Sequence, residues 1–278
     1  MNKFSIVTPT RNVFGKIQRC VGSVRAQTDV DYEHIVQDAC SNDGSSEWLL
    51  AQSDLKVTVE KDRGMYDAIN RGWEKSSGEI LSWLNADEQY LPGTLRKVEI
   101  FFSKNPRLDF VFGDAIIVSA DGTPISARRD VPLSHFYIRN TFLYSYSCTM
   151  FFRRRLFDEG VLRLDDGYRF AADMDLVLRL LDSGKLSARI ADYLGVFMMD
   201  GTNLSCDPRM IDETEKIRVR HGAFKFKRLR LIANAGRFCE RFLSGGLKSS
   251  AIDFLYALNE KPEYVRQHAL SVPPTYET

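Results

Sequence analysis

The first 120 residues alternate between short apolar β-rich runs and segments of helical spacing, and this rhythm constrains the fold more than any other feature. "KFSIVT" (3–8), "YEHIVQD" (32–38), "LKVTVE" (55–60), "EILSWLN" (79–85) and "DFVFGDAIIVS" (109–119) each read as a strand. Between them, Phe14, Ile17, Val21 and Val24 recur at helical spacing, and Ser45–Gln52 and Met65–Lys75 read as helices. Pro92 is expected to open a further helix to about Ser103, at the first-turn position that proline tolerates. Such alternation implies a mainly parallel α/β sheet with helices on both faces.

After Gly122 the rhythm breaks. Residues 123–170 mix short strands, loops, aromatics and arginines. Asp173–Ser183 reads as a helix with Met174, Val177, Leu178 and Leu181 on one face, and "LSARIADYLGVFMM" returns to strand. From Asp207 the chain reads as helical, ending in a loose tail, "SVPPTYET". The expected organisation is a domain over 1–205 and a basic helical C-terminal extension over 206–278.

At 278 residues, with 44% apolar and 27% charged side chains, the chain can bury a substantial core, which excludes global disorder. A net charge of +1 makes no overall electrostatic statement. The five cysteines form no CxxC and are odd in number, which argues against a disulfide framework or zinc ribbon and for a reducing, cytoplasmic compartment. No apolar run approaches the roughly 18 residues of a spanning helix, and the N-terminus reads as a first strand rather than a signal peptide.

Ligands of open α/β sheets bind outside the carboxyl ends of the strands. The polar clusters fall there in turn: "TPTRN" (8–12), "DACSNDGSS" (38–46), "EKDRG" (60–64) and "NADE" (85–88). One such stretch alone would be a solvated turn. Four on one rim imply a shared crevice, of which "EKDRGMYDAINRG" forms the third wall.

These stretches, read together with "EKDRGMYDAINRGWEKSSGEILSWLNADE" and "AADMDLVLRLL", resemble the family 2 glycosyltransferases of the GT-A fold, a Rossmann-like architecture. The likeness is closest to the bacterial members that make exopolysaccharide, capsule or O-antigen. It is strong over about 3–118 and weakens after 205. It implies an inverting, metal-dependent transfer of a sugar from a nucleotide donor, most simply UDP-linked, to a saccharide or lipid-linked acceptor.

The resemblance also implies roles. Asp87 would ligate Mn2+ or Mg2+, hard cations that take oxygen ligands; its plain alternative is a turn residue. Asn85 replaces the frequent first Asp of the family's motif and would bind the nucleotide sugar through a ribose hydroxyl, and Glu88 stands where a second Asp often does. Asp38 would read the base edge, or serve only an Asx turn, with Pro9, Thr10 and Asn12 beside it and Asp43 and Ser41 shaping the loop. Asp62, Asp67, Asn70 and Ala86 would complete the nucleotide-sugar site. Asp67 and Asn70 lie three apart on one helical face, and the alternative for Asn70 is a cap on an exposed face. Asp173 would be the base that takes the acceptor proton, supported by Asp175 and Arg179, although Asp175, two residues on, should point elsewhere; Ala172 takes the place of the usual Glu, and the alternative for Asp173 is a helix cap.

Two other functions compete. A sugar-nucleotide pyrophosphorylase needs a glycine-rich loop after strand one, which "TPTRNVFGK" lacks. A non-catalytic sugar-nucleotide-binding or scaffold protein is favoured by Asn85 and Glu88. The aromatics of "HFYIRNTFLYSYSCTMFF" read as core rather than acceptor platform, and His221 as a surface residue rather than a metal ligand. Between Lys216 and Lys248, ten basic residues face one acidic residue, Glu240, a local balance of +9. Phe224, Leu231, Phe238 and Phe242 recur among them. A basic amphipathic helix reads either as a peripheral contact with an anionic membrane, at the inner face of the plasma membrane, or as a solvated helix packed on the domain. Nothing else in the chain supports nucleic-acid binding.

Overall fold

The computed structural model describes residues 3–201, 203, 204, 207–257 and 264–273. Strand β1 (Phe4–Thr10) is buried at every position, as a strand covered on both faces must be. It pairs in parallel with β2 (Tyr32–Asp38) and β4 (Ile80–Trp83), and β2 pairs in parallel with β3 (Leu55–Val59). Helices α1 (Phe14–Arg25), α2 (Ser45–Leu50) and α3 (Met65–Glu74) connect them where the spacing places helices. Parallel pairing brings the carboxyl ends of β1–β4 to one edge. The register sets Thr10 beside Asp38 and Asp38 beside Val59.

Helix α4 spans Thr94–Lys104, so Pro92 lies outside it. Gly93 takes the N-cap position at φ 74°, a left-handed conformation that glycine adopts without the usual steric cost. The turn into α4 therefore belongs to Gly93, and Pro92 falls in its approach.

The second half of the sheet is mixed. Strands β5 (Gln89–Tyr90), β6 (Phe110–Ser119), β7 (Pro124–Arg128), β8 (Met150–Arg153) and β9 (Ser187–Met199) complete an order β3-β2-β1-β4-β8-β6-β9-β5, with β7 on β6. Strand β8 runs antiparallel to both β4 and β6, while β6 and β9 are parallel. Strand–helix alternation sets strand direction only where a crossover helix joins successive strands, and it breaks after Gly122. The antiparallel entry of β8, four residues from the aromatic-rich segment, had no signature. Helices α5 (His135–Asn140), α6 (Arg154–Asp158) and α7 (Ala172–Asp182) follow in this half.

The two sheet faces carry separate cores, sorted by the two-residue period of the strands. Val7, Leu81, Trp83 and Phe152 pack on one face, and Phe4, Ile6, Ile80 and Phe151 on the other. On the first face Phe152 stacks on Trp83 (ring centroids 5.8 Å apart) and Phe110 (5.7 Å), and Trp73 meets Trp83 edge-on at 5.7 Å. Trp73 reaches this stack because Gly72 lets α3 lie directly on β1. A Cβ there would stand 2.3 Å from Val7 Cγ1.

The C-terminal extension is helical only in part. Helices α8 (Arg209–Arg220) and α9 (Lys227–Leu243) are followed by an antiparallel ribbon, β10 (Ser250–Ala257) and β11 (Tyr264–Val272). Expected helix thus becomes strand, because the edge of the main sheet offers a partner. Ile252, Phe254 and Val272 bury against Ile116, Val118 and Ala127. The Ala127 amide donates to the Pro273 carbonyl at 2.9 Å, and the Gln89 side chain bonds both backbone groups of Ala257 at 3.1 Å. The boundary expected at 205/206 and the tail beyond Pro273 lie outside the described residues.

Three arginines of the basic segment, Arg230, Arg237 and Arg241, turn inward. Arg237 binds both carboxylate oxygens of Asp130 at 2.9 and 2.8 Å and lies over the rings of Phe142 and Tyr144. Arg241 donates to the Arg129 carbonyl, and Arg230 pairs with Glu215 at 2.6 and 2.8 Å. The outer face of α9 is apolar, with Leu231, Ile232, Phe238, Phe242 and Leu243 exposed. No helix of the described residues is long and apolar enough to cross a membrane.

Candidate active site

The polar turns meet at the carboxyl edge of β1–β4. Pro9, Thr10, Asp62, Asn85, Ala86 and Asp87 line one cavity of about 450 Å³. Arg11, Met65 and Arg169 line it too, although no sequence pattern marks them as ligand residues. An adjoining lobe of about 280 Å³ shares Arg63, Gly64, Met65 and Arg169 and adds Tyr66 and Asp67.

Asp38 and Asn12 do not line the cavity. Asp38 is 1% exposed and accepts from the Ser41 amide (3.1 Å) and from the hydroxyls of Ser41 and Ser46 (both 2.5 Å). Asn12, at φ 52°, donates its amide to Ser41 Oγ and accepts from the Asn42 amide, both at 2.8 Å. Asp43 accepts from the amides of Phe14 and Ser45, the loop-shaping role expected of it. A sharply turning loop must satisfy its buried donors, and these side chains do so. The wall itself is presented by Ala39 and Thr10. Thr10 Oγ1 is buried without a hydrogen-bond partner among the described residues.

In "NADE", Glu88 faces inward rather than serving as a second cleft carboxylate. It is 1% exposed, accepts from the Asn85 amide at 2.9 Å, and receives the Ser147 hydroxyl. Burial, with the neighbouring Asp87 charge, pushes its carboxyl up to about 8. Asp87 is the acid of this turn that lines the cleft. Burial also holds its carboxyl above the ordinary range, and the Asp200 charge adds to this, while Lys16 and Arg19 oppose it. Asn85 Oδ1 is buried and unpartnered among the described residues. A carboxylate and an amide oxygen are hard donors that fit Mg2+ or Mn2+, cations that draw their other ligands from water or phosphate.

Asp62 caps the turn before α3, accepting from the Gly64 amide at 2.9 Å. Gly64 stands at φ 135°, and a Cβ there would lie 3.2 Å from the Arg169 guanidinium. Asp67 is held by Arg63 and Arg71, both at 2.9 Å. Asn70 is turned away from the cleft. Its side-chain amide donates to the Leu164 carbonyl (2.8 Å) and its Oδ1 accepts from the Leu164 amide (2.9 Å). Three-residue spacing put Asp67 and Asn70 on one face, but that face packs on the 164–166 loop.

Asp173 sits at the head of α7 and lines a third cavity of about 450 Å³, with Phe142, Tyr146, Phe170, Phe197 and Met199 among its walls. Part of the aromatic segment therefore lines a cavity, while Phe151 and Phe152 are core as expected. Asp173 is not the N-cap; that position is Ala171, which makes no side-chain cap. The backbone ahead of the helix is instead held by Glu213 of α8, which accepts from the amides of Arg169 (2.8 Å), Phe170 (2.7 Å) and Ala171 (2.7 Å). Tyr66, which lines the donor-side lobe, lies close to Asp173: burial and then the Asp173 charge raise the Tyr66 hydroxyl, and Tyr66 in turn lowers the Asp173 carboxyl. Burial pushes the Asp173 carboxyl up to about 6, and the Glu213 charge adds to it, against the Met174 amide and Tyr66, which lower it.

Asp175 points away from Asp173, as its two-residue spacing implies, and Arg179, expected to support Asp173, is bound to Asp175. Asp175 is fully buried and bound by Arg179 (2.7 Å) and His221 (3.1 Å). His221 is correspondingly not a surface residue, its side chain being 6% exposed.

Comparison with known proteins gives the class first. TarS residues 1–349 of S. aureus, solved with UDP-GlcNAc, superimposes with a TM-score of 0.65 at 17% identity, over 87% of this chain and 73% of that one. The mannosyltransferase PcManGT of Pyrobaculum calidifontis, solved with GDP-Man and Mn2+, does so at 0.57 and 17%, over 87% and 75%. The fold is that of the GT-A glycosyltransferases. The family model "Glycosyl transferase family 2" matches residues 5–161, and the chain belongs to that family: it is a glycosyltransferase. A PGL/p-HBAD biosynthesis glycosyltransferase of Mycobacterium bovis is 31% identical over 193 residues, 67% of this chain and 72% of its own length. TuaG of Bacillus subtilis, named for teichuronic acid biosynthesis, is 27% identical over 50% and 58%. Family membership removes the pyrophosphorylase and scaffold readings.

Proposed function

We propose that this glycosyltransferase is an inverting, divalent-metal-dependent enzyme that moves a sugar from a UDP-linked donor to a saccharide or lipid-linked acceptor of surface polysaccharide or glycolipid synthesis. One observation carries the reading. Asp173, a carboxyl that burial pushes up to about 6, lines an aromatic cavity and stands close to Tyr66 of the donor-side lobe.

The base lies against Pro9, Thr10 and Ala39, where the Thr10 hydroxyl is free to bond it. Asp38 and Asn12 act by holding that wall. Arg11 and Arg169, both exposed and without an ion pair among the described residues, face the diphosphate. Asp87 and Asn85 hold Mn2+ or Mg2+, which when bound neutralises charge developing on the leaving diphosphate. Asp62 sets the turn that places Gly64 and Arg169 near the sugar.

Asp173 accepts the acceptor hydroxyl proton as that oxygen bonds to the anomeric carbon. The bond from this carbon to the diphosphate oxygen breaks on the opposite side, which inverts configuration. The Asp173 cavity takes the acceptor, its aromatics covering the apolar faces of a sugar ring or an attached lipid. Support for this acceptor class comes from the named roles of the mycobacterial and TuaG relatives. The outer face of α9 rests on an anionic membrane at the cytoplasmic side, apolar side chains inserted and Lys225, Lys227 and Arg228 beside the headgroups.

A panel of UDP- and GDP-sugars, assayed with and without Mn2+ for thermal shift and slow donor hydrolysis, tests the reading. Shift and hydrolysis with one UDP-sugar, dependent on Mn2+, are expected. A response to no UDP-sugar, or one indifferent to EDTA, would defeat the donor or metal assignment respectively.

A further inference from the structure

The geometry points to a zinc-type metal site outside the catalytic cleft, formed by His135, Asp182 and His221. His135 opens α5, Asp182 closes α7, and His221 follows the last residue of α8. Three helix ends, separate in sequence, thus converge on one point. The Asp182 carboxylate lies between the two imidazoles, with Oδ1 2.7 Å from His135 Nε2 and Oδ2 2.9 Å from His221 Nδ1. One ligand atom from each residue lies within 4.8 Å of the others. A tetrahedral site with bonds of about 2.0–2.1 Å needs its ligand atoms about 3.3 Å apart, so small side-chain rotations suffice.

Two further observations favour a metal over simple ion pairing. His135 Nε2 is buried and, despite the short contact to Asp182, makes no directed hydrogen bond. His221 points its other nitrogen, Nε2, at Asp175 Oδ1 (3.1 Å), a fully buried carboxylate itself fixed by Arg179. A metal-bound histidine characteristically gives its second ring nitrogen to a carboxylate, which fixes the ring and raises its basicity.

Two imidazoles and one carboxylate suit Zn2+ or Co2+ and are poor for Mg2+, which prefers an all-oxygen shell. Asp182 is 47% exposed, leaving room for water as a fourth ligand. The ion joins α8 to the end of α7. Since α8 also carries Glu213, which binds the backbone ahead of α7, the ion and Glu213 together tie the two ends of the helix bearing Asp173 to α8.

The test uses the untagged full chain, stripped with chelator and titrated with Co2+, then Zn2+. Wild type should develop tetrahedral visible absorption at one equivalent of Co2+, bleached by Zn2+, and Zn2+ should raise its Tm by several degrees. His135→Ala and Asp182→Asn, each checked for folding by circular dichroism, should lose both responses, whereas Asp87→Ala should keep them. Asp182→Asn lies at an exposed helix end and keeps the test decisive if His135→Ala fails to fold. No tetrahedral spectrum in folded wild type, or the same spectrum in both variants, would overturn the site.

Discussion

Glu213 stands beside Asp173 at the head of α7, binding three successive backbone amides while its charge raises the carboxyl of Asp173. A general base is most effective when its pKa approaches the working pH. Burial begins that adjustment, and Glu213, from a helix outside the family-matched residues 5–161, extends it.

The first prediction is a pH profile. Asp173 must be ionised to accept a proton, so kcat/KM should fall as pH drops through about 6. Removing the Glu213 charge makes ionisation easier, so Glu213→Gln should move this acid limb to lower pH. Asp173→Asn should keep donor binding but lower turnover about 10²–10⁴-fold. A limb that stays in place in Glu213→Gln, or near wild-type turnover in Asp173→Asn, contradicts the assignment.

Adjacent acids in "NADE" should behave oppositely. Asp87→Ala should lose the Mn2+ dependence of UDP affinity, read by calorimetry. Glu88→Gln should retain it, because Gln keeps the shape of the side chain and its amide oxygen can still accept from the Asn85 amide. Its effect is on stability. A carboxyl at about 8 when folded, against an ordinary 4.5, contributes fully below the lower value and loses that contribution as pH rises to the higher. The slope is at most about 1.4 kcal/mol per pH unit. The Tm of Glu88→Gln should therefore gain on wild type between pH 5 and 8 and level off above. A constant difference across that range would refute the buried titration.

Asn70 gives a third test. Both its amide atoms are spent on the Leu164 backbone inside the protein. Asn70→Ala leaves that donor and acceptor unpaired, at about 1–3 kcal/mol each. Denaturant unfolding should show the loss, while UDP affinity of the folded variant stays near wild type. A selective loss of UDP binding at full stability would return Asn70 to the ligand site.

The sequence made the parallel half of the fold and its functional edge legible for a physical reason. Strand–helix alternation fixes direction there, and direction puts Thr10, Asp62 and Asp87 at one rim. Which carboxylates face the rim was not legible. Asp38, Glu88 and Asn70 have the right positions but are drawn into closing loops, a choice made by neighbours such as Ser46, Ser147 and Leu164. Arg169 and Glu213 carried no signal because they sit in irregular or strongly charged stretches, and only the approach of α8 to α7 gives them a role. The charge count between 216 and 248 was accurate, but periodicity could not tell which face the arginines occupy.

That inversion reshapes the membrane prediction. Arg230, Arg237 and Arg241 are anchored to Glu215, Asp130 and the Arg129 carbonyl. Replacing Arg237 by Gln removes the bidentate partner of buried Asp130 and leaves it the longer contacts to Arg128 (3.6 Å) and Arg241 (3.9 Å), a loss of up to about 3 kcal/mol. Its effect should therefore appear in Tm and not in a binding assay. The membrane contact falls to the outer face, where Phe238, Phe242 and Leu243 are 57%, 65% and 83% exposed. Their insertion contributes roughly 1.5–3 kcal/mol for each side chain fully removed from water. Phe238→Ser together with Phe242→Ser should abolish flotation with anionic vesicles at unchanged Tm, while Lys225→Gln with Lys227→Gln should weaken binding mainly at low salt. Full vesicle binding by the double Ser variant, or none by folded, monodisperse wild type at low salt, would remove the membrane from the account of α9.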